Sequence, residues 1–301
     1  MKIVVLGAGS IGSLFCGLLS KKNDVTLVGR KPHVQAIKKN GLKITGKTHL
    51  NVKIPAEDSI SKIDFSPDLL ILTVKSYDTE KAIKEAKTVI GDNTVVMSLQ
   101  NGLDNIEKIC KVIDKKNVVA SVTTHGVIFS KPGAVKHTGI GETVLGELNG
   151  KQTERIKHLT TLFINSGIQT KTTTNILREI WIKVIVNSSI NPLTTFFQCK
   201  NGYLLENPLL EDIVHKICTE STMVANSEGL HLSYSDLIRK TKNVIQNTSQ
   251  NYSSMLQSYK KSGKTEIDSI NGKIFGIGKR KGIATPMNEM LVYLINSICE
   301  K

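Results

Sequence analysis

The chain opens MKIVVLGAGSIG, an unbroken aliphatic run that stops at three glycines in a GxGxxG spacing before a helical pattern takes over. An apolar run with no polar alternation suits a strand covered on both faces, so Lys2 to Leu6 is predicted to lie inside a parallel sheet. Gly7 permits a tight turn, Gly9 lets a phosphate approach the backbone, and Gly12 allows the helix to pack closely on the strand. The helix predicted from Ser13 to Leu19 presents its unpaired N–H groups to the same place. Strand, loop and helix in this order predict a dinucleotide-binding α/β domain, with Gly7, Ala8, Gly9, Ser10, Ile11 and Gly12 as the phosphate loop.

The second predicted strand, Asp24 to Val28, ends in Gly29-Arg30-Lys31. A site that prefers NAD usually places a carboxylate there for the ribose 2′-hydroxyl. Here Gly29 stands at that position and Arg30 offers a guanidinium fork suited to a 2′-phosphate, so NADP(H) is favoured over NAD(H). The alternative is that Arg30 and Lys31 only begin a surface helix. Short strands follow at 42–44 and 52–54. A buried strand from Asp68 to Val74 delivers Lys75, and one from Thr94 to Leu99 delivers Asn101; both residues fall where an open α/β sheet binds its ligand. A further strand is predicted at 118–122, an antiparallel hairpin within Gly133 to Glu147, a helix at 151–165 and a last strand at 167–170. His125 and His137 read as structural histidines. The polar run 171–174 marks the expected boundary between domains 1–172 and 173–301.

Beyond it the periodicity is helical, over about 176–191, 207–228, 234–247, 252–262, 267–281 and 286–299. An α/β domain followed by an all-α domain leads us to expect a ligand cleft between them. In the first of these helices Lys183, Asn187 and Asn191 recur every four residues among Ile and Val. A four-residue step drifts by about 40°, so one ammonium and two amides share a face. Pro192 predicts a kink or an end at Asn191. Asn251 and Ser254 are spaced for one helical face, and Thr265 with Asp268 reads as a capping box that places Glu266 in a first turn. Thr285-Pro286 marks the start of the last helix.

A net charge of +14 favours anionic ligands, but the basic pairs are scattered and few aromatics accompany them, which argues against nucleic acid. No apolar run is long enough to span a membrane, and the N-terminus carries no leader pattern. Five dispersed cysteines without metal-ligand spacing predict neither a disulfide framework nor a metal site, and the expected location is the cytoplasm.

The motifs GAGSIG at Gly7–Gly12, Val74-Lys75-Ser76-Tyr77, Leu99-Gln100-Asn101-Gly102, His137-Thr138-Gly139-Ile140-Gly141, Lys183…Asn187…Asn191-Pro192-Leu193-Thr194, Asn201-Gly202, Ser253-Ser254-Met255-Leu256-Gln257 and Thr265-Glu266-Ile267-Asp268-Ser269-Ile270-Asn271-Gly272 together resemble the ketopantoate reductase family. The resemblance covers nearly the whole chain. It implies a Rossmann domain with a helical domain, and reduction of 2-dehydropantoate to (R)-pantoate on the way to coenzyme A. It implies Lys183 as general acid and Glu266 as the residue that holds the substrate's terminal hydroxyl, with Glu266 also reaching the cofactor. Asn187, Asn191, Asn201, Asn251 and Ser254 would line the substrate, and Lys75 and Asn101 the cofactor. The cofactor expected from Arg30 is NADPH in preference to NADH, and the expected partners are the small-molecule substrate and, as an open option, a second copy in a homodimer. Two other readings stay open: a reductase of another branched 2-oxoacid, and a non-catalytic sensor of NADP(H).

Overall fold

The computed structural model describes residues 1–299 and divides into two compact units, Met1–Gln100 with Asn105–Glu179, and Asn101–Asp104 with Ile180 onward. In the first unit the strands are β1 (Lys2–Leu6), β2 (Asp24–Val28), β3 (Leu42–Gly46), β4 (Leu50–Val52), β5 (Ala56–Glu57), β6 (Leu69–Leu72), β7 (Val95–Ser98), β8 (Val118–Thr123), β9 (Gly126–Lys131), β10 (Ala134–Gly139), β11 (Thr143–Glu147) and β12 (Thr170–Thr172). Its helices are α1 (Ser10–Leu19), α2 (Lys31–Asn40), α3 (Thr79–Ala86), α4 (Asn105–Cys110) and α5 (Glu154–Asn165).

The main sheet runs β12-β11-β8-β7-β6-β1-β2-β5, and every pair from β8 to β5 is parallel. Those six strands follow the doubly wound order of dinucleotide-binding folds, and the order reverses between β1 and β6. The apolar runs explain the layering. Ile3, Val5, Leu69 and Ile71 enter one core, while Val4, Leu6, Leu70 and Leu72 enter another on the opposite face. Alternate residues of a strand face opposite ways, so a sheet buried on both sides needs apolar residues at every position.

The hairpin lies one strand earlier than the sequence pattern suggests. β9 and β10 pair antiparallel across Lys131–Gly133, and with β3 and β4 they make a second sheet, β4-β3-β10-β9. β11 instead joins the main sheet against β8. The glycines between β10 and β11 therefore mark a change of sheet and not a turn. The last strand is Thr170–Thr172, since Gly167 (φ +84°) ends α5, and the polar Lys171 sits in a sheet edge where charge is tolerated.

The second unit is helical: α6 (Ile176–Phe196, whose first residues fall in the other unit), α7 (Tyr203–Glu206), α8 (Pro208–Ser227), α9 (Tyr234–Asn247), α10 (Ser254–Ser262), α11 (Lys273–Lys281) and α12 (Pro286–Cys299). α6 supplies Trp181, Ile182, Val184 and Ile185 to one core and Val186, Ile190 and Leu193 to a second. It does not stop at Pro192; the helix continues to Phe196 with the proline inside. A proline withdraws the N–H that the carbonyl four residues back would accept, here that of Ser188. The side chain of Asn271 donates to that carbonyl instead, Nδ2 to O 3.1 Å, so the carbonyl keeps a partner although the helix's own bond is lost.

The expected capping box at Thr265 does not form. A π-helical turn, Asp268–Gly272, precedes α11, its leading residue is Ile267, and no side chain caps it. Asn251 lies outside α10, whose N-cap is Ser253 bonding the Leu256 amide, so Asn251 and Ser254 do not share a helical face. The chain turns at Asn251 because its amide already donates to the Thr248 carbonyl, 2.8 Å.

Candidate active site

The glycine loop of the first unit is defined by space. Gly7 sits at φ +119°, and a Cβ there would stand 2.5 Å from the Val74 nitrogen. A Cβ on Gly12 would collide with the Gly7 carbonyl and with Thr73 Oγ1. A Cβ on Gly9 would meet nothing within 4 Å. Two of the glycines are thus needed by the protein's own packing, and the third faces open space where a phosphate would need bare backbone. The loop is fastened from behind by Thr73, which donates to the carbonyls of Gly7 (2.6 Å) and Leu6 (3.3 Å). Gly9 is the N-cap of α1, with Ala8, Ser10 and Ile11 completing the turn. A dinucleotide pyrophosphate fits this loop, because its donors are main-chain N–H groups at a helix start.

Gly29 has its own reason to be glycine: a side chain there would overlap the Ala8 Cβ. The end of β2 therefore cannot carry the carboxylate that reads a ribose 2′-hydroxyl. Arg30 is exposed as N-cap of α2, followed by Lys31. Beside Gly29 on one side runs β5, whose Glu57 carbonyl accepts the Gly29 N–H (2.9 Å), while the Glu57 carboxylate is held by Lys38 Nζ at 2.8 Å.

Lys75 follows β6 and is half-buried at the start of a short helical turn. That turn is anchored by residues whose part was not legible beforehand. Gln100 Nε2 donates to the Val74 carbonyl and to Thr79 Oγ1, both 2.8 Å, and Lys108 Nζ donates to the Ser76 carbonyl at 2.9 Å. The position of Gln100 just past a strand was the available signal. Next along the chain, Asn101–Asp104 groups with the helical unit. Gly102 (φ +102°) lies against Ser269, the Leu103 amide donates to the Ser269 carbonyl (3.0 Å), and Ser269 Oγ donates to Asp104 Oδ2 (3.2 Å).

In the helical unit, every residue from 181 to 195 is buried except Lys183 and Asn187, which keep partial exposure. Asn191, one turn further on, is 6 % exposed. Lys183 and Asn187 are thus the accessible part of the polar stripe in an otherwise enclosed helix segment, and Asn191 is its buried end. Glu266 is 7 % exposed and immediately precedes the π-turn, where its carbonyl accepts the Ser269 amide at 3.1 Å. Asn201 is buried, donates from Nδ2 to Thr248 Oγ1 (2.9 Å) and through its main chain to the Asn251 carbonyl (3.0 Å). Asn201 and Asn251 are therefore brought together, with Asn251 and Ser254 on the surface. Thr194 Oγ1 donates to Ser253 Oγ (2.8 Å) and ties α6 to the start of α10.

His125 and His137 are occupied with the scaffold of the first unit. The Gly139 carbonyl can only accept, so His137 carries its proton on Nε2 (2.9 Å), and its Nδ1 accepts from Thr48 Oγ1 (2.8 Å). His125 Nδ1 faces that same Nε2 at 3.0 Å and accepts from the Gly141 amide at 3.3 Å. Burial, with the neighbouring His137, lowers His125 to about 4. Burial lowers His137 too, opposed by its bond to Gly139. Both rings are neutral at physiological pH.

No described helix is long and apolar enough to cross a membrane, and no cluster of metal-binding side chains occurs among the described residues. The chain matches the family described as ketopantoate reductase PanE/ApbA over residues 3–150, and its C-terminal counterpart over 175–298. It is 40 % identical over 298 residues to the 2-dehydropantoate 2-reductase of Pyrococcus abyssi, covering 98 % of this chain and 97 % of the relative. Among solved structures, D-mandelate dehydrogenase with NADH and anilino(oxo)acetate superposes with a TM-score of 0.94 at 30 % identity, covering 100 % of this chain and 99 % of that one. The PanE/ApbA family ketopantoate reductase from Ralstonia eutropha superposes at 0.92 with 29 % identity, again over 100 % and 99 %. The fold, the glycine loop and two family matches that together span most of the sequence agree: this chain belongs to the ketopantoate reductase family.

Proposed function

We propose that this chain is a cytoplasmic, NADPH-dependent 2-dehydropantoate 2-reductase that supplies (R)-pantoate for pantothenate and coenzyme A. The observation that carries this reading is the enclosed helix α6, on which Lys183 and Asn187 keep the accessible surface between 181 and 195. NADPH held at the glycine loop would supply hydride chemistry at the C2 carbonyl of the substrate. The Lys183 ammonium would offset the negative charge on the carbonyl oxygen and donate the proton that completes the alcohol. Asn187 and Asn191 bond the substrate without adding charge. Glu266 accepts from its terminal hydroxyl, and Asn201, Asn251 and Ser254 complete the substrate set. The dinucleotide is held by Gly7–Gly12, Lys75, Asn101 and Glu266, with Arg30 on the 2′-phosphate. Support for NADPH comes from Gly29, which leaves no room for a carboxylate, and from Glu57, which Lys38 neutralises.

A second reading has a specific observation behind it: the D-mandelate dehydrogenase structures that superpose so well contain NADH. On that reading the substrate is an aryl 2-oxoacid and the cofactor NADH. Oxidation of NADPH and NADH is followed with 2-dehydropantoate, 2-oxoisovalerate and phenylglyoxylate. The proposal expects 2-dehydropantoate with NADPH to give the highest kcat/KM, and Lys183→Ala to lower turnover by about 10²–10⁴-fold with NADPH affinity kept. Preference for phenylglyoxylate with NADH would establish the second reading. Comparable rates with 2-oxoisovalerate would remove the role given to Glu266, because a site built to hold a hydroxyl discriminates against its loss. Tight NADPH binding without turnover of any 2-oxoacid would point to a sensor.

A further inference from the structure

Helix α6 contains a proline one residue after Asn191 and four after Ser188, and the carbonyl this frees is met by a side chain from the π-turn. Asn271 is 0 % exposed, and its Nδ2 donates to the Ser188 carbonyl and to Asn288 Oδ1, each at 3.1 Å. Which way its amide points is dictated from further back. Glu220, 9 % exposed, accepts from the Met287 amide (2.9 Å), the Asn288 amide (3.1 Å) and Asn288 Nδ2 (2.8 Å). A carboxylate can only accept, so it draws the Asn288 NH2 toward itself and leaves Oδ1 facing Asn271. Asn288 Oδ1, which also accepts from Ser221 Oγ at 3.4 Å, faces the Asn271 NH2, and that NH2 also faces Ser188. Asn271 Oδ1 is buried with no hydrogen-bond partner. An unpaired buried acceptor is costly, so the amide is kept there for its donor side.

We infer that Asn271 is a positioning residue: through the Ser188 carbonyl it holds the turn of α6 that presents Asn187 and Asn191, and the Glu220–Asn288 pair fixes its orientation. This rests on the reading of the α6 face as the substrate-binding face. Ser188 is the residue after Asn187, and its carbonyl points along the helix to the turn that carries Asn191. Without a partner for that carbonyl, Pro192 leaves a break in the hydrogen-bond ladder between the two amides.

The same proline provides the test, because Pro192→Ala restores an N–H four residues beyond Ser188. Asn271→Leu is expected to raise KM for 2-dehydropantoate about tenfold, with a smaller change in kcat and the NADPH dissociation constant within about twofold of wild type; one buried hydrogen bond is of this order. In the double variant Asn271→Leu/Pro192→Ala, KM returns to within about threefold of wild type. A general loss of packing would reduce active enzyme and leave KM alone. An unchanged KM in Asn271→Leu, or no recovery in the double variant, overturns the inference. Should Asn271→Leu not fold, the double variant is expected to fold, and its failure counts equally against us. Backbone hydrogen exchange over 185–196 needs no substrate: it is faster in Asn271→Leu and slower again in the double variant. Absence of 2-oxoacid turnover by wild type would strike the functional reading, while the exchange result still decides the role of the carbonyl.

Discussion

The glycine loop and the polar face of α6 are both read as ligand sites, yet they are built on opposite principles. The loop works by what is missing. A Cβ at Gly7 or Gly12 strikes the protein itself, one at Gly9 strikes nothing, and the hydrogen-bond donors are main-chain. The α6 face depends on side chains in a buried setting, and their order depends on further side chains behind them: Asn271 on the Ser188 carbonyl, Asn288 on Asn271, Glu220 on Asn288. A backbone site needs only the correct small residues in a fixed local geometry. A side-chain site needs every polar group behind it satisfied or oriented, since buried polar atoms are costly to leave alone.

The sharpest way to break this contrast is to place one methyl at each glycine. Gly7→Ala forces a non-glycine residue into φ +119° and against Val74, a strain of about 1–3 kcal/mol before any clash is relieved, so a fall in Tm of roughly 5–10 °C is expected together with loss of NADPH binding. Gly12→Ala carries no such backbone strain but is expected to lower Tm through its clash with the Gly7 carbonyl and Thr73 Oγ1. Gly9→Ala, at φ −79° with open space around it, should keep Tm within about 2 °C and still weaken NADPH about tenfold or more, because the methyl stands where the pyrophosphate approaches. Thermal unfolding and fluorescence titration separate the two behaviours. If Gly9→Ala binds NADPH normally, the open space at Gly9 is not the phosphate site.

These two regions also differ in how much of them could be read from sequence. The geometry of the loop was legible down to single residues because it is local: the strand, three glycines and the helix are contiguous. The position of Lys183, Asn187 and Asn191 on one face was legible for the same reason, as a helical period. What tolerates Pro192 was not, because the answer, Asn271, lies far along the chain and acts through a main-chain carbonyl. The sheet exchange between β10 and β11 was hidden likewise: a run of glycines looks the same whether the next strand folds back or leaves for another sheet. Near Thr265 the local capping pattern was present and lost to the π-turn, which docks Ser269 on Leu103 and Asp104. The preceding loop placed Asn101 by position after a strand, but not its grouping with the helical unit.

Arg30 is the one side chain asked to add discrimination to the backbone site, and it sharpens the comparison at intermediate size. It stands exposed at the N-cap of α2, with no acid in that helix's first turn. Arg30→Ala is expected to lower kcat/KM for NADPH relative to NADH by about tenfold, the order of one charge-assisted contact, while NADH itself changes little. The preference should also shrink as salt is raised, since an exposed guanidinium and a phosphate are screened together. An unchanged ratio would mean that selectivity, like phosphate binding, is supplied by backbone alone.

The smallest effect expected concerns the buried polar groups of the dinucleotide unit, which on this comparison serve the scaffold and lead to no ligand. His125 is neutral in the fold, lowered to about 4 by burial and by His137, whereas an unfolded chain takes up that proton near 6.5. Its folded value is the depressed one, so the unfolded state binds the extra proton, and stability present above pH 6.5 is lost as pH falls from there toward 4. His137 is lowered in the same direction and adds to the slope. Glu147 acts in a lower window. Burial opposes its charge, but Arg155 and Thr153 outweigh that and hold it below the usual carboxylate range, so its contribution disappears only on further acidification. His125→Asn removes its own titration and keeps an acceptor at the Nδ1 position for the Gly141 N–H. The variant should therefore show a flatter Tm profile between pH 6.5 and 4, with kcat/KM at pH 7.5 within about twofold of wild type. If instead the variant's kcat/KM collapses while its Tm profile keeps the wild-type slope, these histidines belong to the chemistry and the division between a backbone site and a side-chain site fails on the dinucleotide side.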